Sequence, residues 1–159
     1  MEIADIFSQA GGYFEWLMRL GCALLAGAVL GLDREVRRRR IGIRTYMMVS
    51  LGAAVFTIVS IEMAHDMVAQ GLSSDPSRVI QGLVGGLGFL GAGAIIQGDK
   101  SVGGMVTAAS LWVAGAIGLA SGLGYEGLAL TSATLAAGVL WISHFMAHRG
   151  QKDRPDAQD

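Results

Sequence analysis

Hydrophobic positions in this chain form long blocks, and charged residues interrupt them mainly at their ends. Four blocks carry no Asp, Glu, Lys or Arg, for 17, 20, 25 and 22 residues in chain order. They are residues 45–61, 79–98, 101–125 and 127–148. A fifth block, residues 13–32, is apolar apart from Glu15 and Arg19. Because a helix needs about 20 mostly apolar residues to cross roughly 30 Å of hydrocarbon, each block is long enough to span a membrane.

We therefore predict an all-α, polytopic membrane protein with five transmembrane helices. The predicted spans are residues 13–32, 45–64, 79–97, 105–123 and 127–145. They form one domain over residues 13–148, preceded by an N-terminal arm or interfacial helix (1–12) and followed by a disordered cytoplasmic tail (149–159). The alternative is a soluble all-α protein with five core helices. It is disfavoured because 159 residues provide too few polar positions to surround five apolar helices.

Basic residues are distributed very unevenly between the two sides that five spans define. Ten lie on the side of the first loop and the C-terminus, whereas only Arg78 lies in the loops of the other side. The ten are Arg34, Arg37, Arg38, Arg39, Arg40, Arg44, Lys100, Arg149, Lys152 and Arg154. Since loops rich in Lys and Arg stay in the cytoplasm, we expect the N-terminus outside and the C-terminus inside the cell.

Composition adds a glycine excess, 24 of 159 residues, to a chain in which only 16% of residues are charged. In lipid, glycine lets helix backbones approach closely, and small residues four apart mark such faces. The candidate packing glycines are Gly27 and Gly31 in span one, Gly82, Gly86, Gly88, Gly91 and Gly93 in span three, and Gly118 and Gly122 in span four. Span three is the densest, so we expect it to be central, to pack most tightly and to wall any internal site. The alternative is that these glycines let the helix bend around a solute.

Arg19 is an ionisable residue within the first predicted span, where a charge is costly and usually finds a partner or a water-filled cavity. One interpretation is that its long side chain reaches the outer headgroups. The other is an anion-attracting or ion-paired residue in an internal cavity. Candidate partners on the outer half are Glu62, His65 and Asp66.

A second polar cluster lies where span one meets span two. Asp33 and Glu35 precede the arginine run, and Arg44 and Thr45 begin span two. The acids could pair with Arg44 and lock the hairpin, or they could form a cation or protein-contact site. The arginine run itself is explained by topology and by attraction to anionic lipid.

Hydroxyl and aromatic side chains complete the polar inventory of the spans. Thr107 and Ser110 in span four are candidates for interhelical hydrogen bonds or for an internal polar site. Tyrosines and tryptophans near span ends, Tyr46 among them, are typical of the aromatic belts at membrane interfaces.

Enzyme chemistry, metals and cofactors receive little support. The sequence has no Ser/His/Asp set, no H-E-x-x-H and no G-x-x-x-x-G-K-[ST] loop. Residues 86–91 match G-x-G-x-x-G, but they lie inside an uncharged span rather than between a strand and a helix. His144 and His148 share a helix face without a third ligand nearby, so we predict no metal site and no cofactor. Nothing in the charge pattern indicates nucleic acid.

Three segments of the chain resemble the signatures of one known family. The first is GAVLGLDRE at residues 27–35, followed by GIRT at residues 42–45. The second is GFLGAGAI at residues 88–95, and the third is TAASLW at residues 107–112. In this order they resemble the MgtC/SapB family of bacterial inner-membrane proteins. The resemblance covers the membrane domain, without the soluble C-terminal domain of the best-known members, and Val106 stands where a polar residue is common.

The resemblance implies a non-enzymatic, multi-pass protein of the inner membrane. It implies a link to magnesium homeostasis, to growth in low magnesium and, in pathogens, to virulence. It further implies regulation of a membrane partner such as ATP synthase rather than magnesium transport. The alternative is a small-solute or ion transporter or channel, with a pathway past Arg19 and the glycine face of span three. Because five short spans rarely enclose a pathway, we expect a homo-oligomer in the bilayer, with a dimer favoured.

Overall fold

The computed structural model describes residues 3–97 and 102–152, and these residues form five α-helices. The helices are α1 (Ile3–Val36), α2 (Ile43–Ala69), α3 (Ser77–Ala94), α4 (Met105–Gly122) and α5 (Glu126–Lys152). Two short antiparallel strands, β1 (Ile96–Gln97) and β2 (Val102–Gly103), pair between α3 and α4. The helices alternate in direction. We call the end of the bundle with the α1–α2 turn and the strand pair the arginine-rich end, and the other the opposite end.

Each predicted span overlaps one helix, although α1 begins ten residues before its span and α5 ends seven residues after its span. Residues 3–12 are the first turns of α1, and α5 continues through Lys152, so neither segment is separate from its helix. The rest of the predicted tail, residues 153–159, lies outside the described part of the chain. By length and composition, four helical segments among the described residues could cross a membrane. They are Gly12–Val36, Ile43–Ala69, Met105–Gly122 and Glu126–Ser143.

The third helix is not among these four segments. It is only 18 residues long, and Arg78 and Gln81 lie in its first turns. The described helices therefore support four spans by composition, and the fifth remains a prediction.

The central helix of the bundle is α4, not α3 as the glycine density predicts. Helix α4 packs against α1, α2, α3 and α5, whereas α3 packs mainly against α4 and touches α2 only slightly. The core is built from small side chains together with a few large ones, such as Leu30, Tyr46 and Ile117, which are at most 1% exposed. Small residues let the backbones of α1, α2 and α4 approach closely, which is the usual basis of helix association in lipid.

Close backbone approach falls on glycines of α1 and α4. A Cβ on Gly27 would lie 2.9 Å from the carbonyl oxygen of Tyr46, and one on Gly31 would lie 2.7 Å from the Cα of Ile43. Gly118 and Gly122 face the carbonyl oxygens of Ser50 and Ala54 in the same manner. These four glycines bring α1 and α4 close to α2.

The glycines of α3 are not tightly packed within the chain, contrary to the prediction. A Cβ on Gly82, Gly86, Gly88 or Gly93 would meet nothing within 4 Å, and Gly91 only touches Ala108 at 3.6 Å. The physical reason is that α3 lies at the edge of the bundle, so most of its surface has no neighbour within the chain. Glycine density alone does not indicate which face of a helix meets a neighbour.

Candidate functional site

Arg19 joins α1 to the C-terminal end of α4 at the opposite end of the bundle. Its Nη1 donates a hydrogen bond of 2.9 Å to the carbonyl oxygen of Gly122, and its Nη2 forms an ion pair with Glu15 one turn earlier. The Oγ of Ser121 donates to the backbone carbonyl of Arg19 at 2.7 Å. Its guanidinium also lies against Gly124, whose φ of +83° forms the tight α4–α5 turn. The side chain of Arg19 is therefore held on every side by its own helix and by α4.

The three residues expected to pair with Arg19 do not bind it. Glu62 accepts a hydrogen bond of 3.1 Å from the indole of Trp16, and the side chains of His65 and Asp66 are exposed. Among the described residues Arg19 therefore makes its one ion pair within its own helix, with Glu15. The Nε of Arg19 is buried and has no hydrogen-bond partner among those residues.

The acids at the α1–α2 turn bind within the turn rather than to Arg44. Asp33 accepts a hydrogen bond of 2.6 Å from Nε of Arg37, and both side chains are largely buried. Glu35 accepts from the backbone N–H of Ile43 at 3.1 Å, which satisfies an N–H group at the start of α2. Arg44 and Thr45 are exposed. The hairpin is thus held by a carboxylate bound to a helix start, and the predicted pairing with Arg44 is not formed.

Ser110 and Thr107 connect α4 to Tyr46 of α2 in the interior. The hydroxyl of Tyr46 lies 2.6 Å from Oγ of Ser110, and Ser110 donates to the carbonyl oxygen of Thr107 at 2.9 Å. Tyr46 is 0% exposed, so it belongs to the core and not to an interfacial aromatic belt. The sequence pattern missed this because Tyr46 lies near a span end, where either place is compatible with its amphipathic side chain.

A pocket of about 430 Å³ opens at the arginine-rich end between α1, α4 and α5. Asp33 and Thr107 line it, as do Arg34, Arg37 and Arg39. It brings two of the predicted polar residues together, whereas Arg19 lies at the other end of the bundle. Glu35, Arg44, Thr45 and Ser110 are not part of its lining.

Arg34 is the residue of this pocket that the sequence interpretation missed. It is only 5% exposed, although it lies just before the arginine run, which topology and lipid attraction explain. A signal was present in the helical spacing. Residues three and four apart share a helix face, and Arg34 continues the buried stripe of Ala23, Gly27 and Leu30.

A second, apolar groove lies between α2 and α3 and has a volume of about 660 Å³. Gly82 and Gly86 of α3 and Gly52 and Phe56 of α2 are among its lining residues. It is separated from Arg19, which packs on the α4 side of α1. Within residues 12–95 and 102–143, whose side chains the structure describes, no three His, Cys, Asp or Glu side chains lie close enough to hold a metal ion.

Comparisons with known proteins identify the family of this chain. The MgtC family model matches residues 20–149, which cover the second half of α1, all of α2, α3 and α4, and most of α5. This chain belongs to the MgtC family. It is 39% identical over 129 residues to MgtC of Salmonella typhimurium strain LT2, covering 80% of this chain and 52% of that protein. It is 34% identical over 136 residues to YhiD of Escherichia coli strain K12, whose name proposes magnesium transport. This match covers 85% of this chain and 63% of YhiD.

The chain therefore spans about half to two thirds of the length of these curated relatives. An uncharacterized protein of Haemophilus influenzae is 37% identical over 106 residues. No solved structure matches the chain. The family is linked to magnesium transport or homeostasis, and its members are membrane proteins.

Proposed function

We propose that this protein is a non-enzymatic, multi-pass protein of the bacterial inner membrane that serves magnesium homeostasis and low-magnesium growth by regulating a membrane partner. Membership of the MgtC family supports the link to magnesium. A membrane protein complex such as ATP synthase is the partner that the family resemblance implies. In a pathogen the same activity would support virulence.

The bonding of polar side chains inside the bundle is the observation that carries this proposal. A pathway for a solute would need polar groups that are free to contact it, but Arg19 is bonded to Gly122 and Glu15. Deeper in the bundle, Tyr46 and Ser110 are bonded to each other and are almost fully buried. A bundle with such a core favours contact with other helices over conduction.

The test is copurification from native membranes together with growth in low magnesium. We expect the tagged chain to retain a membrane protein partner after mild solubilisation, and we expect its deletion to impair growth when magnesium is limiting. The matched control is a variant with an altered surface, Phe89→Ser, because Phe89 is 81% exposed on α3. If no partner is retained and deletion causes no growth defect, the result contradicts a regulatory role.

Transport is the alternative function, and two observations favour it: the name of the YhiD relative and the α2–α3 groove beside the glycines of α3. Its test is flux of magnesium or another small ion into proteoliposomes. If the pathway runs past Arg19, the native chain should conduct the ion and the variant Arg19→Ala should show a different flux. The regulatory proposal instead predicts no flux above protein-free vesicles for either protein.

Topology and assembly belong to the same proposal. Five spans, with α3 included, place the arginine-rich end in the cytoplasm and the N-terminus outside, which labelling of single cysteines in intact cells tests. A homodimer through the exposed small-residue face of α3 is supported by Gly82 and Gly86, which are four residues apart and open.

A further inference from the structure

The guanidinium of Arg34 is buried at the arginine-rich end and forms no ion pair within residues 12–95 and 102–143. The residue is 5% exposed, and its Nε and Nη2 atoms have no hydrogen-bond partner among the described residues. The nearest acid in sequence, Asp33, is bound to Arg37. A buried cation that lacks a partner is strongly unfavourable, so such a group usually marks a place that a ligand completes.

The N-terminus of α4 forms a second wall of the pocket that Arg34 lines. Gly104, Met105, Val106 and Thr107 all contribute to that wall. The N-cap residue Gly104 adopts a φ of +86° and provides no side chain to cap the helix. The first backbone bond of α4 is made by Ala108, so the N–H groups of the preceding turn have no acceptor within the helix. Such N–H groups, together with the helix dipole, favour an anion.

The lining residues of the pocket carry net positive charge, as do the buried guanidinium of Arg34 and the N-terminal end of the α4 dipole. Arg34, Arg37 and Arg39 face one carboxylate, that of Asp33, which is already bonded to Arg37. The remaining positive charge is concentrated in a pocket of about 430 Å³, which is large enough for a tetrahedral oxyanion.

We propose that this pocket binds a phosphate group, held by the guanidinium of Arg34 and by the open N–H groups at the start of α4. Arginine suits this ligand because its planar fork presents several donors to phosphate oxygens. The pocket lies at one end of the bundle, where a phospholipid headgroup and a phosphate compound from solution can both arrive. The chemistry of recognition is shared, and the source is decided by experiment. The site is independent of the regulated partner proposed above.

Thermal unfolding of the purified full chain tests the site against phosphate from solution. The chain is delipidated in a maltoside detergent, and sodium phosphate is exchanged for sodium chloride at constant ionic strength and pH. We expect the melting temperature of the native chain to rise with phosphate, as binding to the folded state requires. Arg34→Gln should weaken apparent phosphate affinity by about tenfold or more, the loss expected for a charge-assisted hydrogen bond.

Arg40→Gln is the matched control, because Arg40 lies six residues after Arg34, is exposed and does not line the pocket. It removes the same charge and should leave the phosphate response unchanged. An equal loss of response in both variants would overturn the proposal, since it would indicate general attraction to the arginine run.

The second arm measures retained phospholipid by native mass spectrometry of the chain purified from membranes in mild detergent. A phospholipid that is retained by the native chain and by Arg40→Gln, but lost in Arg34→Gln, identifies a headgroup as the source. A phosphate response without retained lipid identifies a soluble phosphate. If Arg34→Gln matches the native chain in both arms, or if neither arm detects binding, the proposal is wrong.

A further variant keeps the test decisive if Arg34→Gln does not fold. Val106 is 57% exposed at the mouth of the pocket, so Val106→Glu adds a carboxylate beside Arg34 and the α4 N-terminus without filling the core. We expect this variant to melt higher than the native chain in phosphate-free buffer and to lose its response to phosphate. A phosphate response that is unchanged in Val106→Glu would contradict the site.

Discussion

The hydroxyl of Tyr46 donates a hydrogen bond of 2.6 Å to Oγ of Ser110, because the Ser110 hydroxyl itself donates to the carbonyl oxygen of Thr107. The two side chains join α2 to α4 in the interior. We predict that Tyr46→Phe lowers the free energy of unfolding by about 0.5–1.5 kcal/mol, the usual contribution of one such bond. Thermal unfolding in detergent, followed by near-ultraviolet circular dichroism, measures it.

Tyr125→Phe is the control for Tyr46→Phe. Because Tyr125 is 60% exposed, this substitution should leave the free energy of unfolding of the chain unchanged. Ser110→Ala should destabilise more than Tyr46→Phe, by about 1–3 kcal/mol, since it leaves the buried Tyr46 hydroxyl without its acceptor. A Tyr46→Phe chain as stable as the native one would show that the interior bond contributes nothing.

The glycines of α4 and α3 predict opposite responses to the same substitution. A Cβ on Gly118 would overlap the carbonyl oxygen of Ser50, whereas a Cβ on Gly82 would meet nothing within 4 Å. We therefore expect Gly118→Ala to cost about 1–3 kcal/mol of unfolding free energy through overpacking. Gly82→Ala should change it by less than about 0.5 kcal/mol. Equal effects on the unfolding temperature would contradict the packing of α2 against α4.

Asp75, in the loop before α3, predicts a pH dependence. Its pKa is lowered below the usual 3.8, mainly by hydrogen bonds from the side chain and backbone N–H of Ser77, with a smaller contribution from Arg78. Because the folded-state pKa is the lower one, the interaction stabilises the start of α3 fully above the usual pKa. That stabilisation is lost as the pH falls through the folded-state value.

Carboxyl chemical shifts followed through a pH titration test this shift at Asp75. We expect Ser77→Ala to raise the pKa of Asp75 toward its usual value, whereas Ser74→Ala should leave it in place. An Asp75 pKa that does not respond to Ser77→Ala would show that the side-chain hydrogen bond is not its cause.

The proposed dimer predicts a crosslink at one face of α3. In a Cys22→Ser chain, Gly86→Cys places a thiol on the exposed small-residue face, where a second copy would bring its counterpart close. We expect oxidation in native membranes to give a disulfide-linked dimer. Val139→Cys, at a 65% exposed position of α5, is the control that should remain monomeric. Monomers for both variants would contradict a dimer through α3.

The positions of the helices followed from the sequence because membrane spans are defined by length and apolarity alone. Uncharged blocks such as residues 127–148 coincide with helices to within a few residues, and the family follows from its three motifs. The paired strands β1 and β2 were not predicted, since two residues each are too short to show an alternating pattern.

The faces of the helices were harder to predict than their positions. Hydropathy does not indicate which side of an apolar helix meets a neighbour, so the glycines of α3 were expected inside and are outside. Arg34 was counted only as one of ten basic residues on one side of the membrane, and the burial of its side chain was not predicted. Partner choice at Asp33 and Glu35 depends on turn geometry, which residue types alone do not define.

The slight contact between α2 and α3 has a consequence for synthesis in the membrane. The hairpin of α1 and α2 can assemble as soon as it leaves the ribosome, because Gly27 and Gly31 pack directly on α2. Helix α3 emerges next and finds few contacts on that hairpin, while its main neighbour, α4, has not yet been made. We therefore expect α3 to join the bundle only once α4 follows, so that the third and fourth helices assemble as a pair.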